Sequence, residues 1–148
     1  MTADPFDLRR FVVAQEGVYA DALEEIRRGR KASHWMWFVF PQIEGLGHSE
    51  TARRFAIRSL DEARAYLTHP LLGARLEKAV RAALESGEAS PHRLFGSPDD
   101  QKFRSSLTLF REAANAAQRP LFDEALTLFY AGRADEATLS RLGSSPPA

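Results

Sequence analysis

Several polar side chains of this chain sit beside aromatic and apolar runs, where a plain hydrophobic core would avoid them. Ser33, His34 and Gln42 flank Trp35-Met-Trp37-Phe-Val-Phe40, a run that contains both tryptophans of the chain. Indole, amide and cation together are the chemistry that recognises a nucleotide. An indole face stacks a base, an amide reads a base edge or a ribose hydroxyl, and cations take phosphates. Trp35 and Trp37 are the candidate stacking surfaces, though two aromatics in an apolar run also fit a core. Gln42, Ser33 and His34 are the candidate polar readers, and Arg30 and Lys31 the candidate phosphate contacts. A histidine beside two tryptophans fits a core or an interface as well.

Gln15 lies on an apolar stripe between Phe11 and Tyr19. A buried amide needs partners, so Gln15 either bonds neighbouring backbone or meets a ligand, and Tyr19 joins it in the ligand-binding set. A second cluster holds Asp99, Lys102, Ser105, Ser106 and Thr108. On a helix Asp99, Lys102 and Ser106 lie within roughly 60° of one another. An ordinary Asp-Lys pair would account for the charges. It leaves unexplained why small hydroxyl residues, poor helix formers, are grouped mid-helix. They permit close approach by another element or by a ligand, with Lys102 and Ser106 on its path. Glu44 and Asp99 are the carboxylates available for catalysis at a sugar.

Composition narrows the classes. The chain has 148 residues, 44% hydrophobic and 27% charged, in the range of a soluble globular domain large enough for a core of its own. Twenty basic residues balance twenty acidic ones, so no global field steers the protein toward nucleic acid or anionic lipid. The basic run from Arg27 to Lys31 offers few phosphate contacts, which makes nucleic acid an unlikely partner. There is no cysteine, and His34, His48, His69 and His92 show no ligand spacing. Thiol chemistry is excluded, and neither a bound metal nor a cofactor is expected. The phosphate-binding glycine loop, the His-Glu-x-x-His helix and the Gly-x-Ser-x-Gly elbow are missing. The N-terminus has no signal pattern and the longest apolar run is too short to span a bilayer, so a cytoplasmic protein without membrane contact is expected.

The elements that must position these residues read as helices. Asp4-Pro5 and Asp7 open one whose apolar stripe runs Leu8, Phe11, Val12, Tyr19, Leu23 and Ile26 to a cap at Gly29. The run from Ser33 to Phe40 fits a buried strand or a buried helical turn. Ser49 caps a helix to about Arg58, and Ser59-Leu-Asp-Glu62 is a capping box for the next. His69-Pro70 starts another, ending near Gly87. Ser90-Pro91 and Ser97-Pro98 are successive cap-plus-proline starts, the first for a single turn and the second for a helix from Asp99 to about Ala117. Pro120 to Gly132 and Asp135 to Gly143 complete the set. The expectation is an all-α or nearly all-α fold, one domain over 1–143 with six or seven helices around the aromatic segment, and a disordered tail over 144–148.

These segments carry a resemblance. Asp7-Leu-x-Arg-Phe-Val-x-Ala-Gln15, Gly29-Arg-Lys-x-Ser-His-Trp-Met-Trp-Phe-x-Phe-Pro-Gln42, Tyr66-Leu-x-His-Pro-Leu-Leu-Gly73 and Phe95-Gly-x-x-Asp99-x-x-Lys102-x-x-Ser105-Ser-x-Thr-Leu-Phe110 resemble the bacterial domain-of-unknown-function family 1810 over about 6–138. Some of its members carry the label calpastatin, which no residue here supports. The resemblance implies a mainly helical cytoplasmic domain and no particular reaction. Leu107 and Phe55 depart from a more usual methionine and tyrosine. A fainter likeness in layout, an aromatic Trp/Gln segment followed by an Asp/Lys helix, is similar to the NAD- and ADP-ribose-associated (NADAR) domains, which implies handling of ADP-ribosyl compounds. The leading expectation is a pocket for a nucleotide-like ligand of NAD or ADP-ribose type, extending to metal-independent N-glycosidic cleavage. The alternative is a non-catalytic module that docks a partner protein through exposed aromatics.

Overall fold

A computed structural model of the chain describes residues 3–143, and the tail expected over 144–148 lies outside them. Ten helices follow one another among the described residues: α1 (Arg9–Gln15), α2 (Tyr19–Arg27), α3 (Met36–Val39), α4 (Glu50–Arg54), α5 (Leu60–Thr68), α6 (Leu72–Glu85), α7 (Pro91–Phe95), α8 (Asp99–Ala113), α9 (Arg119–Tyr130) and α10 (Glu136–Leu142). The all-α expectation holds, with a higher count than the six or seven expected. The stripe from Leu8 to Ile26 is not one helix. Gly17 takes a left-handed φ of 72°, which breaks it into α1 and α2. The ambiguous run after Ser33 becomes one helical turn, α3, with extended or irregular backbone on either side.

The cap signals are read correctly in most places. Ser49, Ser59, Ser90 and Asp135 each accept a backbone N–H three residues on. Ser97 does not cap α8, whose first turn follows Pro98 with no side-chain bond. α1 is started by Asp4, whose carboxylate accepts from the N–H groups of Leu8 and Arg9. The helix expected to reach Arg58 stops at Arg54, because Ile57 pairs with Ile43 in a short parallel bridge.

α8 runs through the middle, packed by α3, α5, α7, α9 and α10. Its grouped small hydroxyls allow that crowding. Ser105 and Thr108 donate back to the carbonyls of Gln101 and Arg104, and Thr108 Oγ1 also accepts the N–H of Asp135 at the start of α10. Around α8 the aromatic rings interlock. Phe103 meets Phe95 at 4.4 Å, Phe40 at 4.8 Å and Phe129 at 5.5 Å between centroids, and Trp35 joins through Phe40 and Phe95. Pairs at these separations contribute roughly 0.5–1.5 kcal/mol each beyond burial.

One polar knot holds the N-terminal side of this core. Arg10 has five N–H donors, and every one is used. Nε donates to Arg54 O, one terminal nitrogen to Phe6 O and Asp7 O, and the other to Ala56 O and the Glu62 carboxylate at 2.7 Å. Glu62 is 2% exposed, and its other oxygen accepts the N–H of Arg58. That carboxylate therefore leaves the capping box half-formed: Ser59 bonds Glu62 N, but Glu62 turns to Arg10 and Arg58. Removing one partner of a buried pair strands the other charge. Arg10→Ala is expected to cost roughly 3–5 kcal/mol in urea denaturation, and Arg10→Lys most of that, since an ammonium has three donors and no planar fork. A loss below about 1 kcal/mol for Arg10→Ala would show that the knot is dispensable.

Candidate functional site

The Ile43–Ile57 bridge builds a cleft. Ile57 N donates to Gln42 O at 2.8 Å and Glu44 N donates to Ile57 O at 2.9 Å, which clips the segment after the aromatic run to the segment after α4. Extended backbone sends alternate side chains to opposite faces. Ile43 and Ile57 point into the core, so Gln42 and Glu44 face outward with Arg58. Trp37 and Phe55 supply an aromatic wall, Arg53 a second guanidinium, and Gly45 and Gly47 a low rim. The resulting cleft holds about 200 Å³.

What distinguishes this cleft is the state of its polar groups. Among the described residues no intramolecular hydrogen bond or ion pair engages the Gln42 amide, the Trp37 indole N–H, the Glu44 carboxylate, or the guanidinium groups of Arg53 and Arg58. Two cations, one carboxylate and one amide therefore face a shared space with an aromatic floor. Behind that floor, the ammonium of Lys102 lies 5.0 Å from the centroid of a Trp37 ring.

The remaining sequence candidates are distributed differently. Gln15 is 1% exposed, and its amide is consumed inside: Nε2 donates to Phe38 O and Tyr66 Oη, and Oε1 accepts from Arg75. Burial pushes the Tyr66 phenol up, which keeps it neutral beside that amide. Gln15 and Gln42 do not share the cleft. Tyr19 donates to Arg75 O, with the Arg75 guanidinium over its ring. Trp35 is fully buried and offers no face for stacking. Arg30 and His34 are exposed and stand outside the cleft lining. Lys31 reaches Asp99 at 2.9 Å, and Asp99 also holds Lys102 at 3.4 Å, so Asp99 is bracketed by two ammonium ions. Ser106 is buried, and its Oγ has no hydrogen-bond partner. Of the sequence candidates, the cleft gathers Trp37, Gln42 and Glu44.

Ser33 belongs to a second knot, around the buried Glu25 carboxylate, that sequence reading missed. The Glu25 carboxylate, on α2, accepts four hydrogen bonds: Ala32 N at 2.7 Å, Ser33 N at 2.9 Å, Ser33 Oγ at 2.6 Å and Trp35 Nε1 at 2.9 Å. Burial alone would push this carboxyl up, but the combined bonds from Ser33, Ala32 and Trp35 hold it down at about 2. Arg53, Arg58 and Phe55 were also missed as site residues, because in sequence they read as the end of an ordinary helix. The nearest signal was the short apolar spacing Ile43 and Ile57, which means nothing until the two segments meet. Among the described residues no three His, Asp or Glu side chains gather as a metal-ion site.

Comparison with known proteins adds a family to this geometry. The family model described as protein of unknown function (DUF1810) matches residues 5–142. The chain belongs to the DUF1810 family. Its fold is shared with a crystal structure of the conserved hypothetical protein Rv1873 from Mycobacterium tuberculosis. That protein is 48% identical, with a TM-score of 0.91, and the match covers 95% of this chain and 99% of that one. No curated protein matches. The sequence resemblance to DUF1810 thus stands, while these findings give no support to the calpastatin label or to the NADAR likeness. Among the described residues of this DUF1810 chain, no helix is long and apolar enough to cross a membrane.

Two outcomes concern Glu25 and the Lys102 side chain behind the cleft. The Glu25 pKa is depressed from 4.5 to about 2, so its stabilising contribution is complete above pH 4.5 and is lost as pH falls toward 2. Glu25→Gln is expected to cost roughly 1.5–3 kcal/mol at pH 7. In denaturant titrations the gap between wild type and variant should narrow from pH 5.5 to 3.5; a constant gap would exclude ionised Glu25 as the cause. Lys102→Ala removes a cation–π contact and an i,i+3 pair, for about 0.5–1 kcal/mol of stability. A changed Trp37 emission should accompany it, and unchanged emission would detach Lys102 from the cleft wall.

Proposed function

We propose that the cleft binds a small anionic, ring-bearing metabolite of the nucleotide type. The observation that carries this reading is the set of unpaired polar groups around one concavity with an aromatic wall. In this reading the ligand's ring packs on Trp37, the Gln42 amide pairs with its polar edge, and Arg53 and Arg58 take its phosphate. Ligand pockets are mostly apolar with a few convergent polar groups, and this composition fits. The volume narrows the expectation of an NAD- or ADP-ribose-sized occupant. At about 200 Å³ the cleft falls below the roughly 300–1,000 Å³ of drug-sized sites, so one ring and one phosphate are its natural load.

Glu44 is the carboxylate available to such a ligand, whereas Asp99 is already neutralised by Lys31 and Lys102. Should the compound carry an N-glycosidic bond, Glu44 is the group to stabilise an oxocarbenium-like sugar while water adds at carbon and the base leaves with a proton. The alternative of a partner-docking module has less behind it. The exposed large apolar side chains are Val13, Leu71 and Leu128, which lie on α1, at the start of α6 and on α9. Single exposed apolar residues need no partner to explain them.

The test is a thermal-shift and calorimetric titration with adenosine monophosphate and ribose 5-phosphate. A ligand that binds only the native state raises Tm. Trp37→Ala should weaken adenosine monophosphate by about 1–3 kcal/mol, roughly five- to a hundred-fold, and leave ribose 5-phosphate nearly unaffected. Arg58→Ala should weaken both about ten-fold or more. If neither compound shifts Tm, or if the two variants bind like wild type, the reading is wrong.

A further inference from the structure

Both tryptophans of the aromatic run have an ammonium ion against a ring. Lys31 Nζ lies 5.2 Å from the centroid of a Trp35 ring, and Lys102 Nζ lies 5.0 Å from that of a Trp37 ring. Trp35 is fully buried, so its pairing is sealed inside the fold. Trp37 is half-buried and lines the cleft, whereas Lys102 is not part of the lining. Of the two indoles, only Trp37 therefore joins a cation to a space that a ligand could enter.

The charge at Lys102 is only partly cancelled. Asp99 is its counter-ion at 3.4 Å, but that carboxylate lies closer to Lys31, at 2.9 Å. Two ammonium ions share one carboxylate, and the group keeps one positive charge in excess. Glu25, bonded to the Trp35 indole, makes no ion pair with either lysine among the described residues. In the cleft, Arg53 and Arg58 face the single carboxylate of Glu44. A ring stacked on Trp37 would thus meet excess positive charge both beside it and through the indole.

An indole face attracts cations through its negative quadrupole, and aromatic sites for quaternary and methylated cations rely on this. At Trp37 the quadrupole is already answered by Lys102, so a second cation on the same ring would be repelled across it. A neutral ring keeps its stacking contact and meets no such penalty. We infer that Lys102 sets the charge class of the ring that Trp37 accepts. Uncharged bases are admitted, and cationic rings, such as N7-methylated guanine or the oxidised nicotinamide ring, are refused. Lys102 acts through Trp37 and touches no ligand position. This rests on the reading of the cleft given above and names its substrate class, a phosphate-bearing compound with an uncharged ring.

The experiment titrates guanosine monophosphate and 7-methylguanosine monophosphate into wild type, Lys102→Met and Lys102→Arg by calorimetry. At pH 6 the methylated base is cationic, so the two compounds differ by one methyl group and one ring charge. Wild type is expected to prefer the unmethylated compound about ten-fold. Lys102→Met keeps an unbranched side chain without the charge and leaves Asp99 paired with Lys31; it should abolish or reverse that preference. Lys102→Arg keeps the charge and should retain it. A merely structural role would weaken both compounds alike and leave their ratio where it was. An unchanged ratio in Lys102→Met overturns the inference, and so does tighter binding of the methylated compound by wild type. If guanosine monophosphate binds while the ratio fails to respond, only this inference falls. If it does not bind, the reading of the cleft falls with it.

Discussion

The guanidinium of Arg10 is the contact on which the site depends. Its five donors reach the carbonyls of Phe6, Asp7, Arg54 and Ala56 and the carboxylate of Glu62, so one side chain joins the N-terminal turn, the end of α4 and the start of α5. The segment between α4 and α5 has no helical hydrogen bonds of its own to keep it in place. It is held from behind by Arg10 and Glu62, and from the front by the pairing of Ile57 with Ile43. The cleft is the space in front of that pairing. Its walls are thus fixed by a buried ion pair that touches no ligand position.

Glu25 solves the same problem on the other side of the aromatic run. The chain from Arg30 to Trp35 is irregular, and backbone N–H groups there lack ladder partners. The buried Glu25 carboxylate accepts two of them together with the Ser33 hydroxyl and the Trp35 indole. The N–H of Lys31 goes to Leu94 O instead, which ties the same segment to α7. Glu25 and Glu62 are therefore comparable devices: each is a buried carboxylate that replaces the missing regular structure of a loop. A charged acceptor suits this task, because it takes several bonds at once and a neutral amide would present donors to donors.

With both loops anchored from inside, the outward side chains of the cleft are left with no structural duty. Gln15, Ser33 and Trp35 are bound into knots, and Asp99 and Lys31 neutralise one another. Gln42, Glu44, Arg53 and Arg58 are not so committed. The contrast between the two groups makes the cleft the best candidate for binding, since groups that stabilise nothing within the chain are free to meet something outside it. Trp37 stands between the two, with Lys102 behind it and the cleft in front.

How much of this was legible in the chain itself follows the range of each interaction. Local signals were enough for helix content and for the caps at Ser49, Ser59, Ser90 and Asp135, because a capping hydroxyl meets its N–H three residues away and an apolar stripe repeats every turn. Gln15 was recognisable as an amide that must be buried, but its partners Phe38 and Tyr66 are 23 and 51 residues distant, and no periodicity announces them. Arg10 and Glu62, 52 residues apart, look like two surface charges on two amphipathic helices. Arg53 and Arg58 look like the polar face of one helix that in fact ends between them, because a bridge to Ile43 competes with the helical bond and wins. Sequence alone determined the helical class of the fold, where several helices begin, and that polar groups accompany the aromatic run. Only tertiary structure decided which of those groups are spent on folding and which remain free, because that choice rests on contacts between residues far apart in the chain.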